Sequence, residues 1–357
     1  MEEIIRKNGM ELRNVEHQTE EICLIAVKQN GLALKYVKDQ TEEICIEAVR
    51  RYGMALKYVK DQTEEICLIA VRENGYALQY VKEQTEEDVR KGTCSLSPMA
   101  YEAICMAAVK QNSYALSHVK NQTEEMCLIA VKSNGMALQF VENQTEEMCL
   151  IAVKQHSYAL QFVENQTEEM CLIAVKQDAY VLTYVENQTE EICWEAIMKS
   201  GYVLQFIENQ TEEICLGAVR QNGCALRYVK EQTEEMCLEA VKQDEMALEY
   251  VTNQTEEMCI TAIRQYGGNV LMCVKDQTEE ICFEAIKKNY TALKLVINQT
   301  EEMCILAVNQ DPFALKYVKD QTEEICLMAV KHSGWKLSAP FEYIRDEEMR
   351  ERMREMC

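Results

Sequence analysis

Residues 144–165 read QTEEMCLIAVKQHSYALQFVEN, and nearly the whole chain is built from copies of this stretch. Threonines recur at 19, 41, 63, 85, 123, 145, 167, 189, 211, 233, 255, 278, 300 and 322, mostly 22 residues apart. A fixed period of that size marks a solenoid or array. Counted from each threonine, apolar residues fall at offsets 3, 4, 7 and 8 and again at 14, 15, 17 and 18. In the copy at Thr19 these are Ile22, Cys23, Ala26 and Val27, then Ala33, Leu34, Tyr36 and Val37. That spacing predicts two short helices per copy.

Thr19 is placed as an N-cap, with Glu20 and Glu21 in the first turn, where the helix dipole favours negative charge. The first helix is expected to run to Gln29. Offset 11 then holds capping residues such as Asn30, Asn134, Asp178, Ser200 and Asp311, so a second helix is expected from offset 12 to near Asp39. Glycine is usual at offset 12, but Ser113, Ala179 and Pro312 stand there in other copies. Proline suits the first position of a helix, so this offset reads as a helix start and not as a left-handed cap.

A rival reading is one long right-handed coiled coil, because the pattern also repeats after eleven residues. Thr255 to Thr278 spans 23 residues and Thr85 to Thr123 spans 38, neither a multiple of eleven. The prediction is therefore an all-α fold, an α-solenoid of short helix-turn-helix (α-hairpin) repeats of about 22 residues. Helices shorter than about 12–15 residues are marginal alone, so stacking between copies must supply the core.

Along the chain, residues 1–18 read as a partial N-terminal capping copy and residues 19–84 as a first repeat block. Residues 85–100 form an irregular joint or insertion, within which Ser97-Pro98 looks like a fresh cap and first helical position. A second block covers residues 101–337, with one extra residue near Gly267-Gly268. Residues 338–357 are expected to cap the array with a helix carrying Met349, Met353 and Met356 on one side. In the last copy Ala339-Pro340 stand where the aromatic and valine of the second helix belong.

The net charge of −23 argues against a nucleic-acid partner, since that affinity comes largely from Lys and Arg. No apolar run approaches the ~18 residues of a membrane span, and MEEIIRKNGM lacks the apolar core of a signal peptide. No membrane association is expected, and the setting is read as cytoplasmic. Of the 18 cysteines, fourteen sit at offset 4, from Cys23 to Cys326. Helices pack about 8–10 Å apart, beyond the ~7 Å Cα limit for a disulfide, so these read as small buried hydrophobes. No metal or cofactor signature appears. The histidines His17, His118, His156 and His332 occupy four different offsets, and no catalytic residue is assigned.

Two surfaces are candidates for a partner. Offset 13 is large and chemically mixed and includes Tyr158, Tyr180 and Tyr202; it reads either as a partner-binding stripe or as packing between copies. Offset 19 is lysine at Lys38, Lys60, Lys82 and Lys120, changes to Glu142, Glu164, Glu186 and Glu208, and returns to Lys230. The middle of the array is thus its most acidic wall and the best place to dock a basic protein. The Asn-Gln-Thr tripeptides, such as 143–145, read as turn chemistry rather than glycosylation sites, with the glutamine bonding to neighbouring turns.

Units of the form TEEICLIAVKQNGLALKYV resemble uncharacterised helical repeats abundant in giant DNA viruses of amoebae and seen in some bacteria and protists. The shared marks are the threonine, the Cys-Leu-x-Ala-Val core, Asn-Gly and the Ala-Leu-x-Tyr-Val helix. The resemblance implies a host-cytoplasm or virion setting and supplies no activity. The leading expectation is a non-enzymatic scaffold for protein–protein interaction. A structural component of a virus particle, built through contacts of the array ends, comes second, and an unrecognised enzyme third.

Overall fold

The computed structural model describes residues 2–82, 96–332 and 339–356. The irregular residues 85–95, with Cys94, and the offset-13 residue Trp335 lie outside this range. The described residues are all-α, an array of short helices in copies of about 22 residues. The copy at Thr145 shows why. Thr145 is extended at φ −98° and its hydroxyl accepts from the Met148 amide at 3.3 Å. This side-chain cap satisfies one of the free N–H groups of the helix Glu146–Gln155 and is worth about 1 kcal/mol. The first helix ends where the sequence placed it, one residue before offset 11.

Offset 11 is extended and caps a second element: in the preceding copy Asn134 Oδ1 accepts from Met136 N at 3.0 Å. That second element differs from the expected α-helix. It is a six-residue 3-10 helix, Ser157–Phe162, with Ala159 N donating to His156 O at 2.8 Å and Val163 N to Leu160 O at 3.1 Å. It is also shorter than expected. In the Thr19 copy it stops at Tyr36 rather than near Asp39, because Val37 turns to an extended conformation.

Offset 12 is the start of this element, as read. Among the glycines described, Gly267 alone has a positive φ, at 103°, where the helix Glu256–Tyr266 is one residue longer than its equivalents. The extra residue is absorbed there, and the next element starts again at Gly268. Ser97 caps the helix Pro98–Gln111, with Pro98 at its first position.

The core lies between successive copies. In the Thr145 copy Met148, Cys149, Ala152 and Val153 from the α-helix and Ala159, Leu160 and Val163 from the 3-10 segment are all buried. Equivalent residues are buried in the other described regular copies, except Ile22 of the Thr19 copy, which is half-buried, so successive copies share their interfaces.

The array forms two compact units, Met1–Glu186 and Asn187–Cys357. The first begins with the helix Glu2–Lys7 and the 3-10 segment Gly9–Asn14, capped by Asn8; Ile5 is buried and Ile4 is exposed. The second closes with the helix Glu347–Glu355, in which Met353 is buried. One expectation there is corrected. The aromatic and aliphatic places of the last copy are not lost to Ala339-Pro340 but filled by Tyr343 and Ile344, after a four-residue delay. Tyr343 meets the Phe313 ring at a tilt of 59°, and Ile344 is fully buried.

Candidate functional site

The glutamine before each threonine fixes the geometry of the copy edges. Gln166 Nε2 donates to Tyr184 O of the next copy at 2.7 Å and to Leu160 O of its own at 3.4 Å. Its Oε1 accepts from Glu186 N at 3.1 Å and from the Cys171 thiol at 3.5 Å. One amide thus serves four groups in two copies, which uses nearly all its capacity. Gln18, Gln62, Gln210 and Gln232 make the same set of bonds.

This junction places offset 19. The amides of Glu142, Glu164 and Glu186 each donate to the glutamine one copy earlier at 3.1 Å, and their side chains are exposed. These three belong to the first unit. Glu208, in the second, is held by Gln188 in the same way. The carboxylates are felt by buried thiols: Cys149 is pushed up to about 11 by burial, with Glu164 and Glu146 adding to the rise.

Where offset 19 is Lys38, Lys60, Lys82, Lys230 or Lys319, its ammonium reaches back to the carbonyl at offset 19 of the preceding copy. Lys38 Nζ donates to Glu16 O at 2.8 Å and Lys60 Nζ to Lys38 O at 2.7 Å, and Lys82 donates to Lys60 in turn. Lys230 Nζ lies 2.8 Å from the Glu208 carbonyl, beside an open groove of about 500 Å³ lined by Glu208, Asn209, Glu212, Lys230 and Glu231. Glutamate cannot donate in this way. In the Glu copies the outward edge therefore presents carbonyl and carboxylate oxygens where its flanks present a cation.

The tyrosines divide. Tyr158 is half-buried, meets Tyr184 of the next copy edge-on at 6.0 Å and lies 5.9 Å from His156. Its phenol is raised by burial and then by the charge and hydrogen bond of Asp178. Tyr202 meets Tyr228 at 6.3 Å and is raised by burial, Cys224 and Asp244. Tyr180 is 42% exposed. Tyr158 and Tyr202 each meet the ring at offset 17 of the next copy, so these two take part in packing between copies.

Among the described cysteines, those at offset 4 are buried and outside any disulfide. Burial pushes Cys67 up to about 12 and Cys45, Cys171, Cys304 and Cys326 up to about 11. They are held as neutral thiols, far from the thiolate form a nucleophile needs.

Two features escaped the sequence reading. The lysine-to-carbonyl ladder had a visible trace in the regular lysines of offset 19. The Leu-Ile pair at offsets 5 and 6, as at Leu150-Ile151, stands in five copies, all in the first unit, and is half-buried on the outer side of their α-helices. Its signal was its recurrence between the buried cysteine and alanine.

No curated protein matches the chain. Residues 41–84, 123–166 and 189–233 match a family described as a domain of unknown function (DUF4116). Each match spans two successive copies, so over these three stretches the chain is similar to an uncharacterised repeat family.

Proposed function

We propose that the chain is a non-enzymatic scaffold whose Glu142, Glu164 and Glu186 edge binds a basic segment of a partner protein, with Glu208 carrying the same residue in the second unit. The observation behind this reading is the exchange at offset 19. In flanking copies the chain's own ammonium sits on the neighbouring carbonyl, and Lys230 does so on Glu208 itself. A lysine or arginine from a partner finds the same kind of carbonyl in the Glu copies, together with carboxylates spaced one copy apart. The raised thiols support a binding role over nucleophilic chemistry. So many described thiols outside disulfides suit a reducing compartment, in line with a host-cytoplasm or virion setting.

The test is fluorescence anisotropy with a labelled lysine-rich peptide. Binding is expected at low salt and should fall steeply towards 1 M, where the Debye length shrinks to about 3 Å. The variant E142K/E164K/E186K should lose binding by about tenfold or more yet keep its melting temperature, because lysine is the residue its flanking copies carry. Equal binding by the variant, or binding indifferent to salt, would refute the reading.

A further inference from the structure

Within each α-helix, offsets 2, 5, 6 and 9 are three or four residues apart and share one face, opposite the buried offsets 3, 4, 7 and 8. In three consecutive helices of the first unit, Glu124–Ser133, Glu146–Gln155 and Glu168–Gln177, this face carries Leu128-Ile129, Leu150-Ile151 and Leu172-Ile173, all half-buried. Exposed Glu125, Glu147 and Glu169 border it at the helix starts, and exposed Lys132 and Lys154 border it at the ends. Towards the beginning of the same unit, an open groove of about 550 Å³ is lined by the equivalent Glu21, Leu24, Ile25 and Lys28.

The array carries its own control for what this face is for. In the first five copies of the second unit offset 6 is Glu195, Gly217, Glu239, Thr261 and Glu284, before Leu306 and Met328 in the last two, while the core beneath stays equally buried. Stacking therefore does not require isoleucine there. The second unit also shows what a large apolar group does on this face. A methyl at Gly217 would lie 2.4 Å from Cζ3 of Trp194, so the offset-5 ring of one copy lies across offset 6 of the next.

We infer that the face around Leu128, Ile129, Leu150, Ile151, Leu172 and Ile173 docks an amphipathic helix of a protein partner. That helix would turn bulky apolar side chains to the stripe and a lysine- or arginine-bearing flank to Glu125, Glu147 and Glu169. A helix fits better than an extended peptide because the α-helices below have satisfied their own backbone and offer no row of donors or acceptors to an unpaired strand. The spacing agrees. Packed helices lie about 8–10 Å apart, and a partner helix crossing them rises ~1.5 Å per residue, so apolar residues about five to seven positions apart meet successive copies. This face is separate from the acidic edge at offset 19, and each proposal can fail without the other.

The experiment uses a synthetic three-heptad peptide with leucines along one side and lysines along one flank, followed by fluorescence anisotropy on the full chain. The intact chain should bind it. I129E/I151E/I173E should weaken binding by about tenfold or more with unchanged melting, since Glu239 and Glu284 occupy this offset and pair with Lys242 and Lys287 three residues on. A peptide with its leucines changed to alanine should not bind. The inference is overturned if the intact chain ignores the leucine peptide or the triple isoleucine variant binds it equally. It is also overturned if only E142K/E164K/E186K abolishes binding, which would assign the peptide to the acidic edge. If sedimentation shows a dimer that the isoleucine variant abolishes, and no peptide binding, the face belongs to a second molecule of this chain and the partner helix is refuted.

Discussion

At the scale of single residues, the glutamine junction does more than any apolar side chain to fix how one copy meets the next. Hydrophobic contact is non-directional, whereas Gln166 joins four named groups at once. Gln166→Leu should cost about 2–3 kcal/mol, because it leaves the Tyr184 carbonyl and the Glu186 amide unpaired at a half-buried edge. The check is a urea titration, with a lower midpoint and little change in slope; an unchanged midpoint would show that water replaces the amide at no cost. The sequence announces this glutamine by its recurrence but hides its partners, since 18 to 20 residues separate the amide from the groups it joins in the next copy. The cysteine at offset 4 was legible as a buried apolar group. Its second role, as a thiol donor to the same amide, was not.

At the scale of elements, capping chemistry carries the information. Thr145 and Asn134 mark the start of the α-helix and of the 3-10 segment, and both bonds are present. What the pattern could not say is which kind of helix follows the asparagine. Apolar residues at offsets 14, 15, 17 and 18 fit a repeat of 3.0 as well as one of 3.6 over so short a run, and only the bonds from residue i to i+3 decide. Glycine at offset 12 has a steric cause instead. A methyl on Gly135 would stand 2.5 Å from the Ala152 carbonyl of the next helix. Gly135→Ala should therefore destabilise by about 1–3 kcal/mol through overpacking, although alanine is the better helix former. A thermal melt measures it, and a rise in melting temperature would show that the neighbouring helix yields freely. Ser157 and Ala179 show the accommodated form of the same position, where the surrounding copies have settled around a side chain.

At the scale of the whole molecule, the period of 22 was the most legible feature, because a repeated sequence must make a repeated interface. Less legible were the places where the period slips. The extra residue ending at Gly267 and the delayed Tyr343 each restore the register through local backbone adjustment that composition does not reveal. Since each copy presents the same donors and acceptors to both neighbours, removing residues 145–166 should rejoin Gln144 to Thr167 in register. The shortened chain is expected to keep its helical signal per residue in circular dichroism and to unfold at a somewhat lower midpoint. Collapse of the helical signal would show that the copies are not interchangeable. The repeated junctions also bear on mechanics. If residues 113–186 were stretched from their ends, the load would pass through links in series, at Gln122, Gln144 and Gln166, each with similar glutamine bonds and apolar contact. None of these links is marked to break first, so extension would come in nearly equal increments, each releasing the slack of a single copy.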